Sequence, residues 1–326
     1  MKKLFLLLLI ILLVPTFITA QDSYTITDVN GNTLTFDEPP TCFVSGGNRD
    51  IEMLAALGIV PVAVSDLGYL NAMLQNPVYY PQPTNVTALP LDEETYEPDL
   101  EALLELSPDV VFGSHELRVA AEGLDLNVYA FYANNSPGTW QQGLEELRKL
   151  AGLTGREERA ETVIAQFENR LAAYKKLAPR DRSVMLVGAA EEEFYISTEV
   201  SGRCGIIREV ATCPWPDPTG GESWSYSTNI EGILALDPDV IILDNWGAWS
   251  NDEMNEALAA SPLWNELSAV KAGRVTGILE DGNYVQGVGP IGNMRFLDLY
   301  LPVIYPEVFP EALTDEQVQD ILADNN

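Results

Sequence analysis

A single histidine, His115, limits the chemistry this sequence can perform. It cannot build a multi-histidine zinc site, and a Ser-His-Asp triad would have to rest on that one residue. No Gly-x-Ser-x-Gly motif occurs, and no cysteine stands beside a plausible base, so nucleophilic hydrolysis has no candidate machinery. Gly287-Val-Gly-Pro-Ile-Gly292 matches the dinucleotide pattern letter for letter. Pro290, however, removes an N–H that a phosphate cradle would use, and no full βαβ unit follows, so the segment reads as a loop entering a helix with Asn293, Phe296 and Leu299. Glu191-Glu192-Glu193 reads as a solvated acidic loop. These residues point to binding, not catalysis.

The aromatic residues carry that reading further. Trp224, Tyr226, Trp246, Trp249 and Tyr284 lie in polar, turn-rich stretches, whereas Phe167 falls on an apolar helical face. Large flat side chains placed this way suit a bulky, partly apolar ligand.

The elements that must position them alternate between strand and helix. Thr41 to Val44, Val60 to Val64, Val110 to Phe112 and Val128 to Phe131 are short β-rich runs, and Ser183 to Val187, Val240 to Leu243 and Arg274 to Ile278 repeat the pattern. Such alternation predicts an α/β fold with mainly parallel sheets, whose ligands sit beyond the carboxyl ends of the strands. The residues following those ends include Arg49, Tyr69, His115, Trp246 and Trp249, and the last run leads towards Tyr284.

The chain has 326 residues, enough for two ordinary domains, with 49 acidic and 18 basic side chains. A formal net charge of −31 repels phosphate backbones and argues against nucleic acid as a partner. Lys2 and Lys3 precede an apolar run from Leu4 to Val14, so residues 1–20 read as an export signal with cleavage after Ala20. The run is short for a bilayer span, which favours a cleaved signal over a retained anchor. Outside the cytoplasm disulfides persist, and Cys204 and Cys213 are near enough in sequence to pair, while Cys42 reads as a core residue.

Residues 22–140 carry 18 acids and 2 bases, 180–326 carry 25 and 7, and the intervening 141–179 carry 6 and 7. The balanced middle has helical periodicity through Ala160, Val163, Ile164, Phe167, Leu171 and Tyr174, with Thr154 and Glu157 as a capping box. The organisation expected is an N-terminal α/β lobe (22–140), a helical linker (141–179) and a C-terminal α/β lobe (180–326). An internal repeat supports it. Glu101-Ala-Leu-Leu-Glu-Leu-Ser-Pro-Asp-Val-Val-Phe112 aligns with Glu231-Gly-Ile-Leu-Ala-Leu-Asp-Pro-Asp-Val-Ile-Ile242 at an offset of 130, each copy being a short helix, a Pro-Asp turn and a buried strand.

With those motifs, Leu54-Ala-Ala-Leu-Gly-Ile-Val-Pro-Val-Ala-Val64, Leu150-Ala-Gly-Leu-Thr-Gly-Arg-Glu-Glu-Arg-Ala160 and Ala269-Val-Lys-Ala-Gly-Arg-Val275, the chain resembles a known family. It is similar to the periplasmic binding proteins of ABC importers for iron-siderophore complexes, haem and cobalamin. The resemblance implies two Rossmann-like lobes joined by one long α-helix, a ligand cleft between them, and no catalysis. It implies a monomer without a cofactor of its own, carrying a metal chelate to an ABC permease. An iron-siderophore complex leads the cargoes, with haem or cobalamin as alternatives; a surface sensory or interaction module without transport is the reading from another class.

Specific roles follow from the resemblance. One glutamate per lobe, seven residues before the proline of the Pro-Asp motif, docks on permease arginines in such proteins, which singles out Glu101 and Glu231. Anionic siderophores are met by arginines in the cleft, which here points to Arg49 and Arg295. His115, one place beyond its strand, is a candidate axial ligand for a haem iron or cobalt. Because a continuous helix resists bending, a small opening motion is expected in place of wide hinge closure.

Overall fold

The computed structural model describes residues 23–46, 48–65, 73–91, 98–131, 139–190, 193–220, 223–244, 256, 258–277 and 289–324, excluding the side chains of Asn48, His115, Glu116, Ala189, Ala190 and Asp244. Residues 1–22, with the expected export signal, lie outside that set.

Two five-stranded sheets organise the chain. The first has the order β5-β4-β3-β6-β7, formed by Phe43–Ser45 (β3), Ala63–Ser65 (β4), Thr87–Leu89 (β5), Val110–Phe112 (β6) and Val128–Tyr129 (β7), every neighbour parallel. Its central strands β3, β4 and β6 are fully buried, and apolar but for Ser45 and Ser65, because helices cover both faces. On one face Phe112 stacks with Phe43 and Phe131 at centroid distances of 5.8 and 5.0 Å. Val44, Ala63, Leu103, Val111, Leu117 and Val128 form the core on the other.

The second sheet has the order β10-β9-β8-β11-β12 and is mixed. Val184–Ala190 (β8), Val240–Asp244 (β11) and Val275–Gly277 (β12) are parallel, while Glu193–Ser197 (β9) and Ser225–Thr228 (β10) add antiparallel pairings. Only two residues separate β8 from β9, and so short a connection forces a hairpin, since a parallel crossover needs a dozen or more. An outlying hairpin, Tyr24–Thr27 (β1) with Thr33–Phe36 (β2), turns around the buried Asp28 carboxylate, which accepts from Asn30 N–H at 2.8 Å and Asn32 N–H at 2.9 Å.

Helices among the described residues include Asn48–Ala56 (α1), Leu100–Leu106 (α2), His115–Ala120 (α3), Trp140–Thr154 (α4), Glu157–Leu177 (α5), Gly202–Ile207 (α6), Ile230–Leu236 (α7), Ser268–Lys271 (α8), Pro290–Ile304 (α9) and Asp315–Ala323 (α10). The long connecting helix is α5, whose 21 residues span roughly 30 Å at about 1.5 Å each. Its expected capping box is absent. Thr154 ends the preceding α4 and turns its hydroxyl back onto Leu150 O at 2.8 Å, Gly155 takes the left-handed cap at φ 64, and Arg156 opens α5 without a side-chain cap.

Both ends of α5 are tied down. At the start, Arg159 Nε donates to Ala56 O at 3.1 Å and Arg156 to Leu57 O at 3.3 Å, placing cations on the C-terminal carbonyls of α1. Further along, Arg170 donates to Asp298 of α9 at 2.9 Å and to Leu313 O at 2.6 Å, and it also pairs with Asp315. Tyr174 adds a bond to Asp298 at 2.7 Å and accepts from Leu313 N–H at 3.0 Å.

Candidate functional site

The duplicated segment folds the same way in both halves. Asp99 caps α2 by accepting from Ala102 N–H at 2.8 Å, and Asn229 caps α7 by accepting from Gly232 N–H at 3.0 Å. Each helix ends in a left-handed residue, Ser107 at φ 48 and Asp237 at φ 40. The Pro-Asp turn then leads into the central strand β6 or β11. Glu101 and Glu231 therefore occupy the first turn of equivalent helices, one beside each sheet, and both are exposed. The helix N-terminus favours a carboxylate there whatever else it does.

At the carboxyl end of β3 the chain makes a close approach. Gly46 N–H donates to Phe112 O at 2.9 Å, and a Cβ on Gly46 would lie 2.6 Å from that same oxygen. Only glycine fits so near a backbone carbonyl. Arg49 follows in the first turn of α1 and is half-buried. One turn on, Glu52 is buried, its Oε1 accepting from Gly292 N–H of α9 at 2.5 Å. Burial pushes this carboxyl up to about 7, against the lowering pull of the Gly292 and Gly289 amides and of Arg49.

Arg295 comes from the C-terminal half. It stands on α9 in a groove of about 500 Å³ between α5 and α9, with Arg159, Arg170 and Asp298 in the same lining. Its Nε is buried and meets no hydrogen-bond partner among the described residues. Trp224 is half-buried, and its carbonyl accepts from Thr198 N–H at 3.0 Å. Tyr226 sits on the edge strand β10 opposite Ile196, and burial together with the Asp217 carboxylate raises its hydroxyl pKa.

His115 opens α3 behind the Ser114 cap, but its side chain is outside the described set. Tyr69, Trp246, Trp249 and Tyr284 also lie outside the described residues. Among the described residues no group of three histidine, cysteine or carboxylate side chains could hold a metal ion. Nor is any described helix long and apolar enough to cross a membrane.

Cys204 on α6 and Cys213 are buried and joined as a disulfide, with Cα atoms 5.6 Å apart. Cys42 departs from the expected core position. It is a free, half-buried thiol just before β3, because its N–H is held at the sheet edge by Asp109.

Glu52 escaped the sequence reading. Its signal was a lone carboxylate inside the apolar run Ile51-Glu-Met-Leu-Ala-Ala-Leu57, all of which is buried.

The sequence profile of the periplasmic binding proteins matches residues 44–281, which takes in both sheets and the connecting helix. The chain belongs to the periplasmic binding protein family. This is a family of solute-binding transport proteins, not of enzymes. The chain is 27% identical over 237 residues to the iron(3+)-hydroxamate-binding protein FhuD of Escherichia coli, covering 69% of this chain and 74% of that protein. To the iron-uptake system-binding protein of Bacillus subtilis it is 24% identical over 268 residues, 76% of this chain and 74% of the relative. In fold it is similar to the triscatecholate siderophore binding protein FeuA of Bacillus subtilis, solved with ferri-bacillibactin. The TM-score is 0.68 at 21% identity, over 86% of this chain and 98% of that one. The two-lobed architecture expected of a periplasmic binding protein is thus the one this chain adopts.

Proposed function

We propose that this periplasmic binding protein works outside the cytoplasm, captures a ferric siderophore between its two sheets and hands it to an ABC permease. The observation that carries the reading is the equivalent placement of Glu101 and Glu231. Two exposed carboxylates at matching positions of a duplicated unit form a two-point address for a two-fold membrane partner with basic pockets. The cargo follows from relatives named for hydroxamate binding and iron uptake, and from a fold shared with a catecholate binder.

In this reading Arg49 stands at the cleft edge of the first half to meet an anionic chelate. The aromatic residues Tyr69, Trp224, Tyr226, Trp246, Trp249 and Tyr284 supply flat apolar surface, His115 is a candidate axial ligand, and Arg295 contributes charge from α9. The protein acts as a monomer and brings no cofactor of its own.

Titration of tryptophan fluorescence at fixed ionic strength with ferric hydroxamate, ferric catecholate, haem and cobalamin tests the cargo. Saturable quenching by a ferric siderophore at micromolar concentration or below is expected. Binding of haem or cobalamin alone would reassign the cargo, and no response to any of the four would remove the chelate reading.

A further inference from the structure

The glycine-rich stretch ending at Gly292 has a use in this fold that no nucleotide explains. Gly289 is the cap residue of α9 and offers no side chain to the free amides of the first turn. The missing acceptor comes from α1, 240 residues away in sequence, as the Glu52 carboxyl. A Cβ on Gly289 would lie 2.9 Å from the Glu52 carboxyl carbon, and one on Gly292 would lie 2.8 Å from it. Two glycines thus form a socket for the carboxyl group, which a Cβ at either position would fill.

We propose that Glu52 is a proton-operated latch between α1 and α9: neutral, its carboxyl seats in the glycine socket and holds the helices together; ionised, it drives the socket to open towards water.

The groups facing it set the balance. From α1 comes the Arg49 charge, from α9 the Gly289 and Gly292 amides, and from the segment after β4 the Tyr79 hydroxyl, which also senses Arg295. The cation and the amides favour the anion, but complete burial outweighs them, so the carboxyl titrates near neutrality instead of near its ordinary value. In an opened state the same carboxyl is solvated and more acidic. Rising pH therefore pulls the equilibrium towards opening, tenfold per unit, from the solvated pKa up to about 7, where it levels off. The position gives the latch a purpose. α1 begins three residues after the end of β3, and α9 belongs to the C-terminal half of the chain, so the contact joins the two halves.

Hydrogen exchange at the amides of Gly292 and Asn293, corrected for intrinsic rates, tests the latch between pH 5 and 8. Protection in the wild type should fall by about 100-fold across that range and then level. In Glu52→Gln, whose amide oxygen can accept the same N–H without titrating, the corrected profile should be flat. A flat wild-type profile, or the same slope in Glu52→Gln, would overturn the proposal. Should Glu52→Gln not fold, carboxyl carbon NMR of the wild type decides. One glutamate must titrate near pH 7 with the Gly292 amide following it, and the absence of any glutamate above pH 5.5 would sink the idea.

Discussion

Asp109 and Asp239 perform the same structural task in the two halves of the molecule. Asp109 Oδ2 accepts from Thr41 N–H at 2.7 Å and Cys42 N–H at 2.8 Å, immediately before β3. Asp239 Oδ2 accepts from the N–H and hydroxyl of Ser183, each at 2.8 Å, immediately before β8. The aspartate of each Pro-Asp turn thereby registers the neighbouring strand of its sheet. Asp109→Ala and Asp239→Ala should each destabilise by about 2 kcal/mol, because part-buried donors lose a charged acceptor. Urea unfolding midpoints check this, and an effect confined to one half would break the equivalence.

Glu101 and Glu231 should behave in the opposite way. Both are exposed, so Glu101→Ala and Glu231→Ala should each change stability by no more than about 0.5 kcal/mol, the share of the helix dipole. Ligand affinity should hold while uptake through the permease falls sharply, most of all in the double variant. Transport assays in whole cells, set beside binding by the purified protein, separate the two.

Stability should fall as pH rises from about 4.5 to about 7, the ordinary and buried values for Glu52. The sign follows from the raised pKa: the folded state holds a proton that the unfolded chain has already lost. Asp298, raised chiefly by burial, acts in the same direction. The part belonging to Glu52 is the difference between wild type and Glu52→Gln, which should grow to about 3 kcal/mol by neutral pH. Chemical denaturation of both proteins at several pH values measures it.

The Cys204–Cys213 bridge closes a loop with a sequence separation of 9. Replacing both cysteines with alanine should cost about 2.5 kcal/mol, the loop-closure entropy returned to the unfolded chain. A reductant should lower the unfolding midpoint of the wild type by a similar amount and leave the double variant unchanged.

Much of this architecture was legible in the sequence because it is carried by local pattern. The repeat at an offset of 130 announced two related halves, and the periodicity from Ala160 to Tyr174 announced the helix between them. The hairpin of β8 and β9 was harder to see, since the two residues between the strands in sequence are acids and not the glycine or asparagine that marks tight turns. Thr154 misled because a hydroxyl at a helix boundary can cap forwards or bond backwards, and the sequence does not distinguish the two. The socket was invisible for a different reason. Its partners, Glu52 and Gly292, are brought together only by tertiary packing. The G-x-G-x-x-G spacing, read as a loop entering a helix instead of a phosphate cradle, does lead into α9, but that a carboxyl group of α1 sits against its glycines is not written in the spacing.

The bonds that fix α5 to α1 at one end and to α9 and Leu313 at the other bear on traffic at the membrane. A strut braced at both ends should keep the spacing of Glu101 and Glu231 nearly the same whether or not a cargo is present. On the docking role proposed for these two residues, an unloaded copy would then offer a permease almost the same grip as a loaded one, and the two would compete for the same berth. Uptake should rise with the amount of this protein only while cargo is plentiful, and an excess of empty copies should slow the transporter they serve.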